Sequence, residues 1–218
     1  MITFDEQQRV FHLKNKEISY LFSVEEGNIL SHLYFGPAIR NYHGERRYPR
    51  VDRGFSGNLP GSMDRTYSKD DLLQEYSGNN TGDYRVPAII IKTENGSRLT
   101  DFRYKSYKIL PGKPKLAGLP ASYVKSDKEA ETLEVTLVDE TIGAQLILSY
   151  TIYNERPVIT RNARLVNTSN QELRIEKIAS VQLDLTKHDY DVISVPGQYA
   201  LERQPERQEL RRGITEFS

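Results

Sequence analysis

The sequence predicts an all-β protein, a large antiparallel β-sandwich with long irregular loops. Three observations carry that reading. Apolar and polar residues alternate with period two along the ordered-looking stretches. Turn signals of hairpin type join those stretches. No window of a dozen residues holds a period of 3.6, so no helix has an apolar stripe to bury. Sheets without helices to cover them bury their apolar faces on each other, which gives a sandwich.

In chain order, residues 18–24 and 29–35 flank Glu25-Glu26-Gly27-Asn28, a first hairpin. Residues 86–92 and 99–107 flank Thr93-Glu94-Asn95-Gly96-Ser97, whose Asn-Gly is the strongest short hairpin cue. Leu133-Glu134-Val135-Thr136-Leu137 alternates strictly, as a half-buried strand does. Residues 144–152 and 158–166 are rich in β-branched and aromatic side chains and flank Tyr153-Asn154-Glu155-Arg156-Pro157. Leu173, Ile175, Ala179, Val181, Leu183 and Leu185 share one parity, broken at Lys177. That predicts one long strand, or two joined at a bend. Residues 69–76 come nearest to helical spacing and are too short to stand alone.

Three segments do not read as strands: residues 40–74, the polar turn Ser77-Gly78-Asn79-Asn80-Thr81-Gly82-Asp83, and residues 196–213. Long irregular segments in a compact β domain are uncommon and are often functional.

Composition excludes several classes. Thirty basic and thirty acidic residues cancel, so no global field recruits nucleic acid or anionic lipid. There is no cysteine, hence neither disulfide framework nor thiolate chemistry. The N-terminal MITFDEQQRVFHLKNKE has no apolar signal region, and no segment approaches the roughly 20 apolar residues of a membrane span. The expected location is cytoplasmic. His12, His32, His43 and His188 are scattered without ligand spacing, and no nucleotide or hydrolase fingerprint occurs, so no metal and no cofactor is expected.

The candidate chemistry lies in the loops. Arg46, Arg47, Arg50, Arg53 and Arg65 are interleaved with Tyr42, Tyr48, Phe55 and Tyr67, a pattern that single-stranded nucleic acid can use. Glu45, Asp52 and Asp64 lie among them, however, and mutual ion pairing accounts for the charges as well. Asp52, beside Gly54-Phe55-Ser56-Gly57, either accepts hydrogen bonds from paired sugar hydroxyls or pairs with Arg50 or Arg53. At the exit of the polar turn, Arg85 is placed to donate two parallel hydrogen bonds to Glu75 or Asp83. These three are expected to be structural first and rim candidates second. Carboxylates are plentiful, but no spacing singles out a catalytic pair.

The segments "YPRVDRGFSGN", "MDRTYSKDDLLQEYSGNNTGDYRVPAI" and "PGQYALERQPERQELRRGI" together resemble the N-terminal domain of bacterial α-galactosidases of glycoside hydrolase family 36. "ENGSRLTDFRYKSYKILPGKPKLAGLPASYV" and "ETLEVTLVDETIGAQLILSYTIYNERPVITRNARLVN" do so too, in the same order over nearly the whole chain. The resemblance implies that residues 1–218 are a β-supersandwich domain of a larger enzyme. A (β/α)8 barrel outside these residues would then carry both catalytic aspartates, and the chain itself would hold no catalytic residue. It implies a retaining exo-α-galactosidase of raffinose- or melibiose-type sugars, commonly a homo-tetramer in which the sandwich helps close the sugar pocket. By the same resemblance Asp52 maps onto a substrate contact and Arg65 lies near the pocket. Tyr199 takes the place where the family usually has tryptophan. Two other readings remain open on the residues alone: a free-standing carbohydrate-binding module, and a structural sandwich making oligomer contacts.

Overall fold

A computed structural model describes residues 1–218 apart from 45–47, 49, 53, 55, 56, 60, 80, 81, 119, 120, 186–188, 212, 214, 215, 217 and 218. Two compact units are present, Met1–Asp184 and Leu185–Ser218. The first contains β1 (Ile2–Asp5), β2 (Val10–Lys14), β3 (Ile18–Val24), β4 (Leu30–Pro37), β5 (Ile89–Thr93), β6 (Arg103–Pro111), β7 (Ala130–Asp139), β8 (Ala144–Tyr153), β9 (Ile159–Asn167) and β10 (Leu173–Ile178). The second contains β11 (Asp191–Ser194) and β12 (Glu206–Glu209), paired antiparallel. Among the described residues there is no α-helix, only 3₁₀ turns at Glu26–Asn28, Lys69–Asp71 and Asp127–Glu129. The all-β expectation holds.

Two four-stranded antiparallel meanders, β1-β2-β3-β4 and β6-β7-β8-β9, supply the layers, and β5 pairs with β10 in a two-stranded sheet. One apolar core joins all three. Phe11, Leu13, Tyr20 and Phe22 come from β2 and β3, Leu133, Val135, Tyr150 and Ile152 from β7 and β8, and Ile89 and Ile91 from β5. Phe22 stacks on Tyr150 with ring centroids 5.0 Å apart. Each fully buried side chain of this size contributes roughly 1.5–3 kcal/mol relative to exposure.

The strict alternation of residues 133–137 becomes β7, whose odd-numbered residues from Leu133 to Leu137 face the core. The hairpin over 153–157 is present: the Tyr153 amide donates to the Val158 carbonyl at 3.2 Å. So is the hairpin between β3 and β4.

One pairing expectation fails. The Asn95-Gly96 turn forms, with Gly96 at φ +86 and its amide donating to Thr93 O at 2.9 Å. It does not join a ladder, because β5 pairs with β10 and β6 with β7. The reason lies in residues 98–102. There the Thr100 amide donates to Asn79 O (2.9 Å) and the Asp101 amide to Asp139 Oδ2 (2.6 Å), so the returning strand bonds elsewhere. The bend foreseen near Lys177 is a bulge at Glu176, between Ile175 and Lys177 in register, and the strand ends at Ile178. Strand β2 escapes sequence reading because Val10 to Leu13 are buried consecutively, without alternation, and β1 because it alternates over only the 4 residues Ile2–Asp5. Within the segment 196–213, residues 206–209 are strand rather than loop.

Candidate functional site

The loop from 40 to 74 is held by a small core of its own. Ile29, Leu59, Tyr67 and Leu72 are buried together, with Tyr48 packed on them. Arg50 locks the outer side of this core. Its Nη1 donates to Asp64 Oδ2 and its Nη2 to Glu26 Oε2, each at 3.0 Å, and its guanidinium lies 4.4 Å from the Tyr67 ring centroid. A cation over an aromatic face with two carboxylate partners is a rigid fixture. Asp64 then caps the next turn, accepting from Thr66 N (2.8 Å) and Thr66 Oγ1 (2.6 Å). Those two hydrogen bonds hold the Asp64 carboxyl below its usual range. The turn sets Arg65 beside Asp52, Nη2 to Oδ1 3.2 Å, with side chains 58% and 57% exposed.

Asp52 and Arg65, singled out separately in the sequence, thus form one exposed ion pair. Arg50 does not take this carboxylate; it pairs with Glu26 and Asp64 instead. The expectation of mutual ion pairing in this loop is met at Arg50 and Arg65, while Glu45, Arg46, Arg47, Arg53 and Phe55 lie outside the described residues. The same loop docks on the polar turn. A Cβ at Gly57 would lie 2.8 Å from Gly82 Cα, and Gly82 holds φ +74. Only two glycines permit backbones to approach so closely.

Arg85 anchors the polar turn from within. Its Nε donates to Asp83 Oδ1 at 2.7 Å, its Nη1 to Asp184, and its Nη2 to the carbonyls of Lys69 (2.9 Å) and Leu72 (2.8 Å). Two carboxylates share the guanidinium, rather than one taking both bonds. Glu75 is not among them. It is 1% exposed and pairs with Arg161 of β9, Nη2 to Oε1 2.8 Å. The Tyr20 hydroxyl donates to Glu75 Oε1 at 2.5 Å, and His32 Nδ1 lies 3.4 Å from Oε2. Burial alone would raise the Glu75 carboxyl. The Arg161 guanidinium, His32 and the Tyr20 hydroxyl outweigh burial and hold it below the usual range. Burial and the Glu75 charge push the Tyr20 and Tyr150 hydroxyls well above theirs. This cluster is a structural tie between layers, closed to solvent, so Glu75 is no rim residue.

In the second unit, Tyr199 sits at the tip of a tight turn. The Leu201 amide donates to Gln198 O at 2.9 Å, and Ala200 takes φ +64. The Tyr199 ring is 97% exposed. A ring of that size in solvent presents a flat apolar face and a hydroxyl to whatever approaches.

The fold defines an all-β sandwich domain with long, internally anchored loops. Residues 28–218 match the glycosyl hydrolase family 36 N-terminal domain. The chain belongs to that family. It is 50% identical over 217 residues to alpha-galactosidase 1 of Pediococcus pentosaceus, covering 100% of this chain and 30% of that protein. It superposes with a TM-score of 0.91 on the crystal structure of the alpha-galactosidase AgaB from Geobacillus stearothermophilus, 42% identical, covering 98% of this chain and 29% of that one. A variant of AgaA from the same organism, solved in complex with raffinose, gives 0.89 at 45% identity, over 94% of this chain and 28% of that one. The chain therefore spans about a third of the length of the relatives it matches.

Proposed function

We propose that this chain is the N-terminal, non-catalytic domain of a retaining exo-α-galactosidase that removes terminal α-galactose from raffinose- or melibiose-type sugars in the cytoplasm. Residues 1–218 are then one part of a longer enzyme whose (β/α)8 barrel carries the nucleophile and the acid/base. The domain supplies a wall of the sugar pocket and a surface for homo-tetramer assembly. Asp52 accepts from sugar hydroxyls, Arg65 fixes the carboxylate and donates beside it, and Tyr199 offers a flat face to a ring.

The observation that carries this reading is the Asp52–Arg65 pair: solvent-open, yet standing on a loop fixed by its own small core and by the Gly57–Gly82 contact. A charged pair held rigidly in the open is suited to recognising paired hydroxyls, because little side-chain order has to be imposed on binding. The raffinose complex of a 45% identical neighbour supports the substrate class. The test is Asp52→Ala in the full-length enzyme. It should lower kcat/KM by the equivalent of roughly 1–3 kcal/mol, one charged hydrogen bond. Kinetics indistinguishable from the parent would remove Asp52 from the pocket.

A further inference from the structure

We infer that the outer face of β7, β8 and β9 carries a saccharide-binding cleft, roofed by Lys113, Pro114, Leu116 and residues 121–125 and centred on Tyr123 and Tyr153. A cavity of about 340 Å³ opens there, bounded by Tyr123, Lys125, Glu129, Tyr153, Arg156 and Val158. That volume lies in the range of small-ligand sites, about 300–1,000 Å³. The two tyrosines stand on opposite sides of its make-up. Tyr123 is 75% exposed on the roof, and Tyr153 is 8% exposed on the sheet. Two aromatic rings with a charged rim suit a ligand that has both apolar C–H faces and hydroxyl edges, which describes a pyranose ring.

The Tyr153 hydroxyl is buried and has no hydrogen-bond partner among the described residues. A buried hydroxyl left without a partner is unfavourable, so a ligand group that reaches it on binding gains a hydrogen bond the free chain lacks. The cavity is also firmly built. Asn15 Nδ2 donates to the carbonyls of Tyr153 (2.8 Å) and Arg156 (2.7 Å). Asn154 donates from its amide to Glu129 O (2.9 Å) and from Nδ2 to Lys128 O (2.7 Å). Glu129, Tyr153 and Arg156 therefore ride on turns bonded to one another.

Ala121 and Ser122 line this cavity and also a neighbouring one of about 220 Å³. The floor of the neighbour is hydroxyl- and amide-rich, with Ser149, Thr160 and Asn162 facing outward from β8 and β9. Paired lobes, one aromatic and one polar, fit an oligosaccharide better than a single ring. The rim carries both signs of charge, Glu129 and Glu134 with Lys113, Lys125 and Arg156, so a neutral polyhydroxyl ligand and an anion are told apart by the titration below.

The inference does not use Asp52, Arg65 or Tyr199, so its failure and that of the preceding proposal are separable. The test is calorimetric titration of the 218-residue chain with raffinose, and in parallel with inorganic phosphate. Raffinose should bind with a Kd in the millimolar range, and phosphate should not. Tyr123→Ala, an exposed position, and Tyr153→Phe, which removes only the unpartnered hydroxyl, should each weaken raffinose severalfold to about tenfold, the worth of one aromatic or hydroxyl contact. Loss in either variant with unchanged circular dichroism supports the cleft. No raffinose binding, binding of phosphate instead, or affinity unchanged in both variants would overturn it. So would loss in Asp52→Ala alone.

Discussion

Arg161 shows how a single residue organises this molecule. It lies opposite Tyr150 in the β8–β9 ladder, on the core side of its strand. There it satisfies Glu75 and donates to the Tyr20 hydroxyl (3.1 Å) and to Gln182 O (2.7 Å). Removing one partner of a buried pair strands the other charge, which costs roughly 3–5 kcal/mol. Arg161→Met should therefore lower stability by about that amount, while Arg161→Met with Glu75→Gln should cost less than Arg161→Met alone. Urea denaturation of both variants checks this, and a double variant worse than Arg161→Met would refute the coupling. The pair was readable in part. Parity puts Arg161 on the face of Ile159 and Ala163, both packed on the core, so an inward charge was implied. Its partner, 86 residues earlier in a loop, was not, because no period connects a loop residue to a strand.

Two buried groups give stability opposite reasons to fade in acid. The Glu75 carboxyl titrates lower in the folded chain than its ordinary 4.5. Its stabilisation is complete above that value and is lost as pH falls through the lower folded one. His12 is pressed down from 6.5 to about 4, first by burial and then by the Lys14 and N-terminal charges. The unfolded chain binds this proton first, so stability is full above pH 6.5 and declines as pH falls from there towards about 4. His12→Gln, which can keep the hydrogen bond to Ser19 Oγ (2.9 Å), should flatten the melting temperature between pH 6.5 and 4.5. An undiminished slope in that variant would assign the acid sensitivity elsewhere.

At the scale of elements, local signals located strands well and partners less well. The strand at 133–137 and the β8–β9 hairpin were legible because alternation marks a half-buried strand and a short turn pairs a strand with the next. The Asn95-Gly96 turn gave the same signal and misled, since side chains and loop carbonyls claimed the strand edge beyond it. The irregular loops were visible as breaks in period. What fixes them was not visible, because Arg50 over Tyr67 and Gly57 against Gly82 are contacts that spacing cannot encode. The glycine contact yields an expectation of its own. In Gly57→Ala the added methyl meets backbone, so the loop bearing Asp52 must move, at about 1–3 kcal/mol. Limited proteolysis should then cut within residues 50–62 faster than in the parent, with the strands' circular dichroism unchanged. Equal cleavage rates would mean that the loop does not depend on this contact.

For the whole chain, the question is whether any carboxylate is placed to do chemistry. Retaining glycoside hydrolysis needs two carboxyl groups about 5–5.5 Å apart across an open space for the sugar. The candidate loops offer carboxylates, but those that the sequence and the site single out already have a cation. Asp52 faces Arg65, Asp64 faces Arg50, and Glu75 is sealed against Arg161. Asp83 and Asp184 do converge, yet the Arg85 guanidinium bonds both and occupies the space between them. A carboxylate whose oxygens are taken by a guanidinium lacks the unobstructed line to a sugar carbon and leaving-group oxygen that this chemistry needs. The 218-residue chain should therefore release no phenol from an aryl α-galactoside above the buffer rate, even where it binds raffinose. The assay is direct, with absorbance of the freed phenol followed at millimolar substrate. Turnover that scales with chain concentration and persists in a second, independently purified preparation would show that these loops hold a reaction centre after all.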